Sequence, residues 1–331
     1  MSAELLPWHR SVWQGLTARL DAERLPHALL LTGPAGLGKH ALALNLAHAL
    51  LCREPRADRQ ACGRCSACHL IASGAHPDLQ RVELEEGSRQ IKVDQIRELN
   101  AFLALKSQYG GFRVGVIAPA DQMNVAAANG LLKTLEEPPP GAVVILVASR
   151  PTLLPITIRS RCQQVPVATP PAVQAREWLR VQPGGSEAIE VLGLAGGAPL
   201  AALELAAAGT AARRVELRRT LEELHSGRMT PVEAAESWQA AGAAALVPLL
   251  HGLLTDLIRL ATLGDAVEGI GDAGRLRALW QGLDLVLLYK YLDRVVEVRR
   301  HLAHPLNEQL LLEELFIGWQ RLRPLPATGR G

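Results

Sequence analysis

Two stretches of this chain carry residue types that do chemistry at spacings chemistry can use. The first is Gly33-Pro34-Ala35-Gly36-Leu37-Gly38-Lys39-His40. In a phosphate-binding loop of this spacing, backbone N–H groups cradle the phosphates, the lysine reaches the outer oxygens, and a following Ser or Thr hydroxyl ligates Mg²⁺. Gly33, Gly36, Gly38 and Lys39 keep the cradle and the cation, but His40 stands where the hydroxyl belongs. An imidazole is a poor ligand for a hard cation that demands oxygen donors. The loop therefore reads as a residual nucleotide site or as a tight strand-to-helix turn, since the glycines serve both. The second metal ligand and the water-activating acid belong at the end of another buried strand. There "VGVIAPADQM" offers Ala118-Pro119, which can do neither. Asp121, just beyond, is expected to be a helix N-cap, with hydrolysis by this relocated carboxylate as the alternative.

The second stretch is Cys52-x9-Cys62-x2-Cys65-x2-Cys68. Four thiolates so spaced suit a tetrahedral Zn²⁺, and a shell of four cysteines has no open position, which predicts a structural ion rather than a catalytic one. An iron–sulfur cluster is the alternative, although the Cys-Pro that often closes one is missing; unligated thiols are the other. His69 and His76 could replace a thiolate or be ordinary turn residues. Cys162 is isolated and reads as a small buried apolar side chain.

The elements that must position these groups follow from hydrophobic patterning. "HALLLT" (27–32), "LQRVEL" (79–84), "FRVGVIA" (112–118) and "AVVILVA" (142–148) are short apolar runs, and helical spacing such as Ile96, Leu99, Phe102 and Leu103 separates them. Strands buried on both faces and alternating with helices predict a mostly parallel α/β sheet. Past Val167 the chain reads as all-α: Leu246, Leu249, Leu250, Leu253, Leu257 and Leu260 recur at helical spacing, and Leu276, Leu279, Leu283, Leu287 and Tyr291 continue it in one further long segment. The expected domains are 1–167, carrying the four-cysteine insertion 52–68, a small helical unit 168–208, a larger helical unit 209–322 and a disordered tail 323–331. The 331 residues are 48% hydrophobic and 21% charged, with a net charge of +2. That balance gives no support to a surface coating nucleic acid. No apolar run suggests a membrane span and no secretory signal is visible, so a cytoplasmic location is expected.

"PWHRSVWQGL", "HALLLTGPAGLGK", the four-cysteine insertion, "HPDL", "IKVDQIREL", "NGLLKTLEEPP" and "ITIRSRCQQ" together resemble the delta prime family of the bacterial DNA polymerase III clamp loader, within the AAA+ superfamily. The resemblance covers about the first half of the chain, and "NEQLLLEELFIGW" is similar to the end of the family's collar domain. It implies an AAA+ domain, a helical lid and a collar that joins subunits in a ring. Implied partners are the gamma or tau and delta subunits and, through the complex, the β sliding clamp and primed DNA. The related gamma and tau ATPases carry an intact loop, an Asp-Glu strand end and a phosphate-sensing Arg where Leu200 stands here. Those departures imply doubtful ATP or ADP binding in cis and no polymerase active site, despite membership of a DNA-directed DNA polymerase holoenzyme. An autonomous gamma-type ATPase is the competing reading. Within Ser160-Arg161-Cys162, the resemblance implies that Arg161 reaches ATP on a neighbouring subunit as an arginine finger. Asn129, Lys133 and Glu136 are expected on one helix, with Lys133 the candidate for a DNA phosphate contact and Leu131, Leu132 and Leu135 in the core.

Overall fold

The apolar runs become β1 (Ala28–Thr32), β2 (Leu79–Val82), β3 (Arg113–Ile117) and β4 (Ala142–Ala148), and a short fifth strand, β5 (Gln163–Pro166), joins them. The structure, a computed structural model, describes residues 5–264, 273–280, 283–301 and 307–322; the expected tail 323–331 lies outside them. All pairings are parallel, in the order β2-β3-β4-β1-β5. The sequence reading did not anticipate β5, because "QQVP" buries only Val165 and carries no apolar run. What makes it a strand is its partner: Leu29–Thr32 of β1 present a free edge to Gln163–Pro166.

The helices of this unit are α1 (Arg10–Asp21), α2 (Lys39–Leu51), α3 (Ser66–Ala72), α4 (Val93–Leu103), α5 (Val125–Glu136) and α6 (Ile156–Arg161). Leu30, Val144 and Leu146 meet Ile96 and Leu99 of α4 and Leu131 and Leu135 of α5 in one buried cluster. The alternate residues Leu29, Leu31, Ile145 and Val147 are also buried, and α2 packs on β1, β3 and β4. Burial on both faces explains why these strands read as unbroken apolar runs. Leu132 of α5 is only partly buried, while Lys133 is exposed.

A buried ion pair ties β2 to β3. The Arg113 guanidinium lies 3.1 Å from Asp78 Oδ1, both side chains being almost wholly buried. Arg113 also donates to the carbonyls of Phe102 and Pro77, and Asp78 accepts from Ser107 Oγ and the Gln108 amide. Burial alone would raise the Asp78 pKa, but the Gln108, Ser107 and Arg113 hydrogen bonds outweigh it and hold it below the ordinary value of 3.8. Asp78→Asn leaves Arg113 buried without its counter-charge and is expected to cost about 3 kcal/mol in urea unfolding at pH 7. A depressed carboxylate stabilises the fold above its unfolded pKa, so that contribution is lost as pH falls through the lower, folded value. The gap between native and variant chains should therefore close below about pH 4.

Inter-residue contacts divide the chain into Met1–Pro170 and Pro171–Gly331. Among the described residues the second unit is helical: α7 (Ala172–Arg180), α8 (Gly185–Val191), α9 (Pro199–Ala207), α10 (Thr210–Ser226), α11 (Pro231–Trp238), α12 (Ala243–Leu263), α13 (Ala273–Trp280), α14 (Leu285–His301) and α15 (Glu308–Gln320). The described residues form two apolar clusters there, one around Ala175, Leu179, Val191 and Ala202, the other from Leu217 to Leu322. Helix α10 serves both, through Ala211 and Leu217. The helix α12 is long and apolar enough to cross a membrane by composition, yet its six periodic leucines all lie in the larger cluster. The expected single segment from Leu276 to Tyr291 is instead two helices. Asp284 breaks it by accepting the amides of Val286 and Leu287, which starts α14 afresh.

Candidate functional site

Gly33 has a φ of 143°, and a Cβ there would sit 2.3 Å from the Val167 carbonyl oxygen, so close approach to the end of β5 requires glycine. Gly38, at φ 75°, opens α2 from the left-handed region. The loop thus has a backbone reason for its glycines that needs no nucleotide. Lys39 is 4% exposed, and its Nζ donates to the Pro34 carbonyl (2.6 Å) and to Ser149 Oγ (3.1 Å) at the end of β4. Burial lowers the Lys39 pKa, with the charge of Asp121 acting against it. His40 is half-exposed and its Nε2 lies 3.6 Å from Glu83 Oε1, too long for a hydrogen bond.

Two residues that sequence reasoning passed over brace this loop from below. Trp8 Nε1 donates to the Leu37 carbonyl at 2.9 Å, and His9 Nε2 sits 2.7 Å from the same oxygen. Since that oxygen can only accept, His9 carries its proton on Nε2. Its burial lowers the pKa, which keeps the ring neutral. Their only sequence signal is their place within "PWHRSVWQGL".

Asp121 is not an N-cap. Asn124 caps α5 by accepting the Ala127 amide at 2.7 Å, whereas Asp121 Oδ2 accepts the Arg150 amide at 2.9 Å, and its Oδ1 is buried without a partner. The carboxylate joins the ends of β3 and β4 close enough to influence Lys39, a placement no local pattern announces.

The four cysteines come together. Their sulfurs lie within 4.8 Å of one another, with Cys52–Cys65 and Cys62–Cys68 at 3.9 Å and Cys52–Cys68 at 3.7 Å. Four sulfurs about 2.3 Å from one tetrahedral ion are about 3.8 Å apart, so the set fits a single zinc-sized metal. The separations exclude disulfides, whose bonds are about 2.05 Å. Cys52 ends α2, Cys65 opens α3 and Cys68 lies one turn inside it. The Cys62 and Cys65 amides point at the sulfurs of Cys52 and Cys62, stabilising thiolate charge. His69 and His76 stay outside the set; His76 Nδ1 instead accepts the Asp78 amide. Cys162 lies apart in the sheet core, and burial pushes its thiol up to about 11. In metal-loaded native protein a thiol-specific dye at pH 7 should therefore label no cysteine rapidly. Chelation should expose four, and Cys162 should react only on unfolding.

At the other margin Arg161 closes α6. Its Nη2 pairs with Glu136 Oε1 at 2.6 Å and its Nη1 donates to the Thr157 carbonyl. Ser160 Oγ donates to the same carbonyl. The pair is partly exposed on both sides, so the guanidinium is oriented without being buried.

Residues 8–171 match the family model described as DNA polymerase III, delta subunit, and residues 209–321 match that for its C-terminal part. The chain is 37% identical over 334 residues to the DNA polymerase III delta prime subunit of Pseudomonas aeruginosa, covering 97% of this chain and 98% of that protein. It belongs to the delta prime family of clamp-loader subunits. The Escherichia coli delta prime subunit is 32% identical over 316 residues, covering 94% of each chain. A Mycobacterium bovis gamma/tau subunit is 32% identical over 275 residues, covering 78% of this chain and 46% of that protein. His40, Ala118-Pro119 and the four-cysteine set stand together in this chain. Leu200 lies half-buried near the start of α9.

Proposed function

We propose that this clamp-loader subunit hydrolyses no nucleotide itself and presents Arg161 to ATP held by a neighbouring gamma or tau subunit. The observation that carries this reading is the state of the loop. Lys39 is spent on Pro34 and Ser149, and the next position offers an imidazole where magnesium needs a hydroxyl. Arg161, oriented by Glu136 and Thr157 at a half-exposed helix end, supports the second half. In this reading the cysteine set holds structural Zn²⁺, residues 168–208 form the lid and 209–322 the collar, and the two apolar clusters of the helical unit are their cores. The partners are gamma or tau, delta, and through the complex the β sliding clamp and primed DNA, in the cytoplasm.

Asp121 favours a second reading, weak hydrolysis in cis, because its unpartnered oxygen lies buried in the neighbourhood of Lys39. Magnesium-dependent ATP turnover by the purified chain separates the two. Background turnover, unchanged by Lys39→Ala, is expected; turnover abolished by Lys39→Ala, or by Asp121→Asn, would establish the second. Clamp- and DNA-stimulated turnover of the reconstituted complex, with and without Arg161, tests the finger.

A further inference from the structure

From Cys52 to Cys65 the chain forms neither helix nor strand. Within it, residues 56–60 close a small turn on themselves. The Arg56 amide donates to the Gln60 carbonyl and the Arg59 amide to the Arg56 carbonyl, both at 2.9 Å, while the Gln60 amide and side chain donate to the Asp58 carboxylate. The feet of this turn are Cys52 and Cys62, and the Cys62 amide points at the Cys52 sulfur at 3.3 Å. A metal shared by those sulfurs fixes where the turn stands, because metal binding and folding are one process in so small a module.

The turn reaches α1. Trp13 Nε1, in the first turn of that helix, donates to the Asp58 carbonyl at 2.9 Å, and Asp21, its last residue, pairs with Arg59. Arg59 sits at φ 63°, a left-handed conformation that a residue with a Cβ keeps only where its surroundings over-determine it. The head of α1 touches something else. His9 is its N-cap residue and Trp8 precedes it, and both rings meet the Leu37 carbonyl of the phosphate loop. Leu37 stands between Gly36 and Gly38, at φ 76° and 75°, which restrict the backbone little by themselves. The next residue is Lys39, whose Nζ is turned back onto the Pro34 carbonyl. Helix α1 packs on no other helix or strand as much as on the 3-10 turn Pro7–His9 that leads into it, so the module and the loop are prominent among its anchors.

We propose, on the strength of the zinc reading above, that α1 is a strut through which metal occupancy of the cysteine module sets the order of the phosphate loop. With metal bound, Asp58 and Arg59 hold α1, and Trp8 and His9 at its head hold Leu37 and so keep Lys39 engaged. With metal lost, the feet of the turn part and the Leu37 carbonyl is held less firmly. The metal-bound and metal-free module is the two-state element that such coupling requires.

The test compares the full-length chain carrying one equivalent of zinc with the same chain after chelation, metal content being measured in each. Hydrogen exchange of the Trp8 indole N–H should speed about tenfold on chelation, the order expected when one hydrogen bond is lost from local stability. Acetylation of Lys39 by an amine-specific reagent should rise in parallel. The Trp319 indole, which donates to the Leu221 carbonyl, should keep its rate and so report that the rest of the fold persists. In a Trp13→Phe, Arg59→Gln double variant neither change touches a sulfur, so zinc should be retained, Trp8 should exchange fast with metal bound, and chelation should add little. Unchanged Trp8 exchange on chelation would overturn the strut. So would equal acceleration of Trp8 and Trp319, which is global loosening, or equal acceleration of Trp8 in native and double-variant chains, which routes the effect along α2. A chain that holds no zinc fails the metal reading and the strut together, whereas stoichiometric zinc with an indifferent Trp8 fails the strut alone.

Discussion

A Cys65→Ala chain is expected to lose tight zinc binding and the order of the segment between α2 and β2. Losing a group that merely orients a ligand costs about 10–100-fold in metal affinity. Removing one of four ligands outright should exceed about a hundredfold, since it opens a shell whose closure is the site's whole purpose. Cys65 has two further roles: it opens α3, and its amide points at the sulfur of Cys62. The segment's own apolar cluster is small, consisting of Cys52, Ala61, Cys65, Ala67 and Cys68 with Cys62 against it, and its ties to α1 are polar, Trp13 Nε1 donating to the Asp58 carbonyl and Arg59 pairing with Asp21. Metal-binding energy is therefore folding energy for this module. Competition against a chromogenic chelator measures the affinity, and limited proteolysis between residues 52 and 78 reports the order. Stoichiometric zinc retained by Cys65→Ala would contradict the tetrahedral assignment. The sheet core should survive, because Leu30, Ile96, Leu131 and Leu146 pack without any contribution from the module.

The second large effect is expected from Arg161→Ala in the complex reconstituted with gamma and delta. An arginine supplied in trans stabilises charge on the transferring phosphoryl group and is worth about 10³–10⁵ in turnover at the site it serves. The loss should fall on kcat rather than on KM, because the contact strengthens only in the transition state. Arg161→Lys should rescue little, since an ammonium lacks the planar fork. Glu136→Gln discriminates orientation from chemistry. It removes the 2.6 Å ion pair and leaves the Thr157 contact, so turnover should fall less than in Arg161→Ala. An unchanged rate in Arg161→Ala would remove the finger, while leaving membership of the delta prime family untouched.

Much of the architecture was legible in the residues because the relevant forces are local or periodic. Strands covered on both faces must be apolar throughout, which is why "AVVILVA" announced β4 and "HALLLT" announced β1. The leucine spacing of α12 gave its buried face directly. The two CxxC steps placed thiolates near one another before any fold was known, since adjacent turns of chain suffice to converge them. Where the reading missed, a distant partner decided. The strand β5 exists because β1 offers an edge; Asp121 left its expected capping role because Asn124 took it and the Arg150 amide was available.

The sequence by itself determined the chemical inventory: a phosphate-type loop lacking its hydroxyl, a closed set of four thiols, and an arginine in a Ser-Arg-Cys context. Only the tertiary structure decided what those groups touch. It bound Lys39 to Ser149 across 110 positions and braced the loop through Trp8 and His9. It also set Arg161 against Glu136. Residue type fixes which bonds a side chain can make, whereas the partner it finds depends on how strands and helices far apart in the chain are brought together by burial.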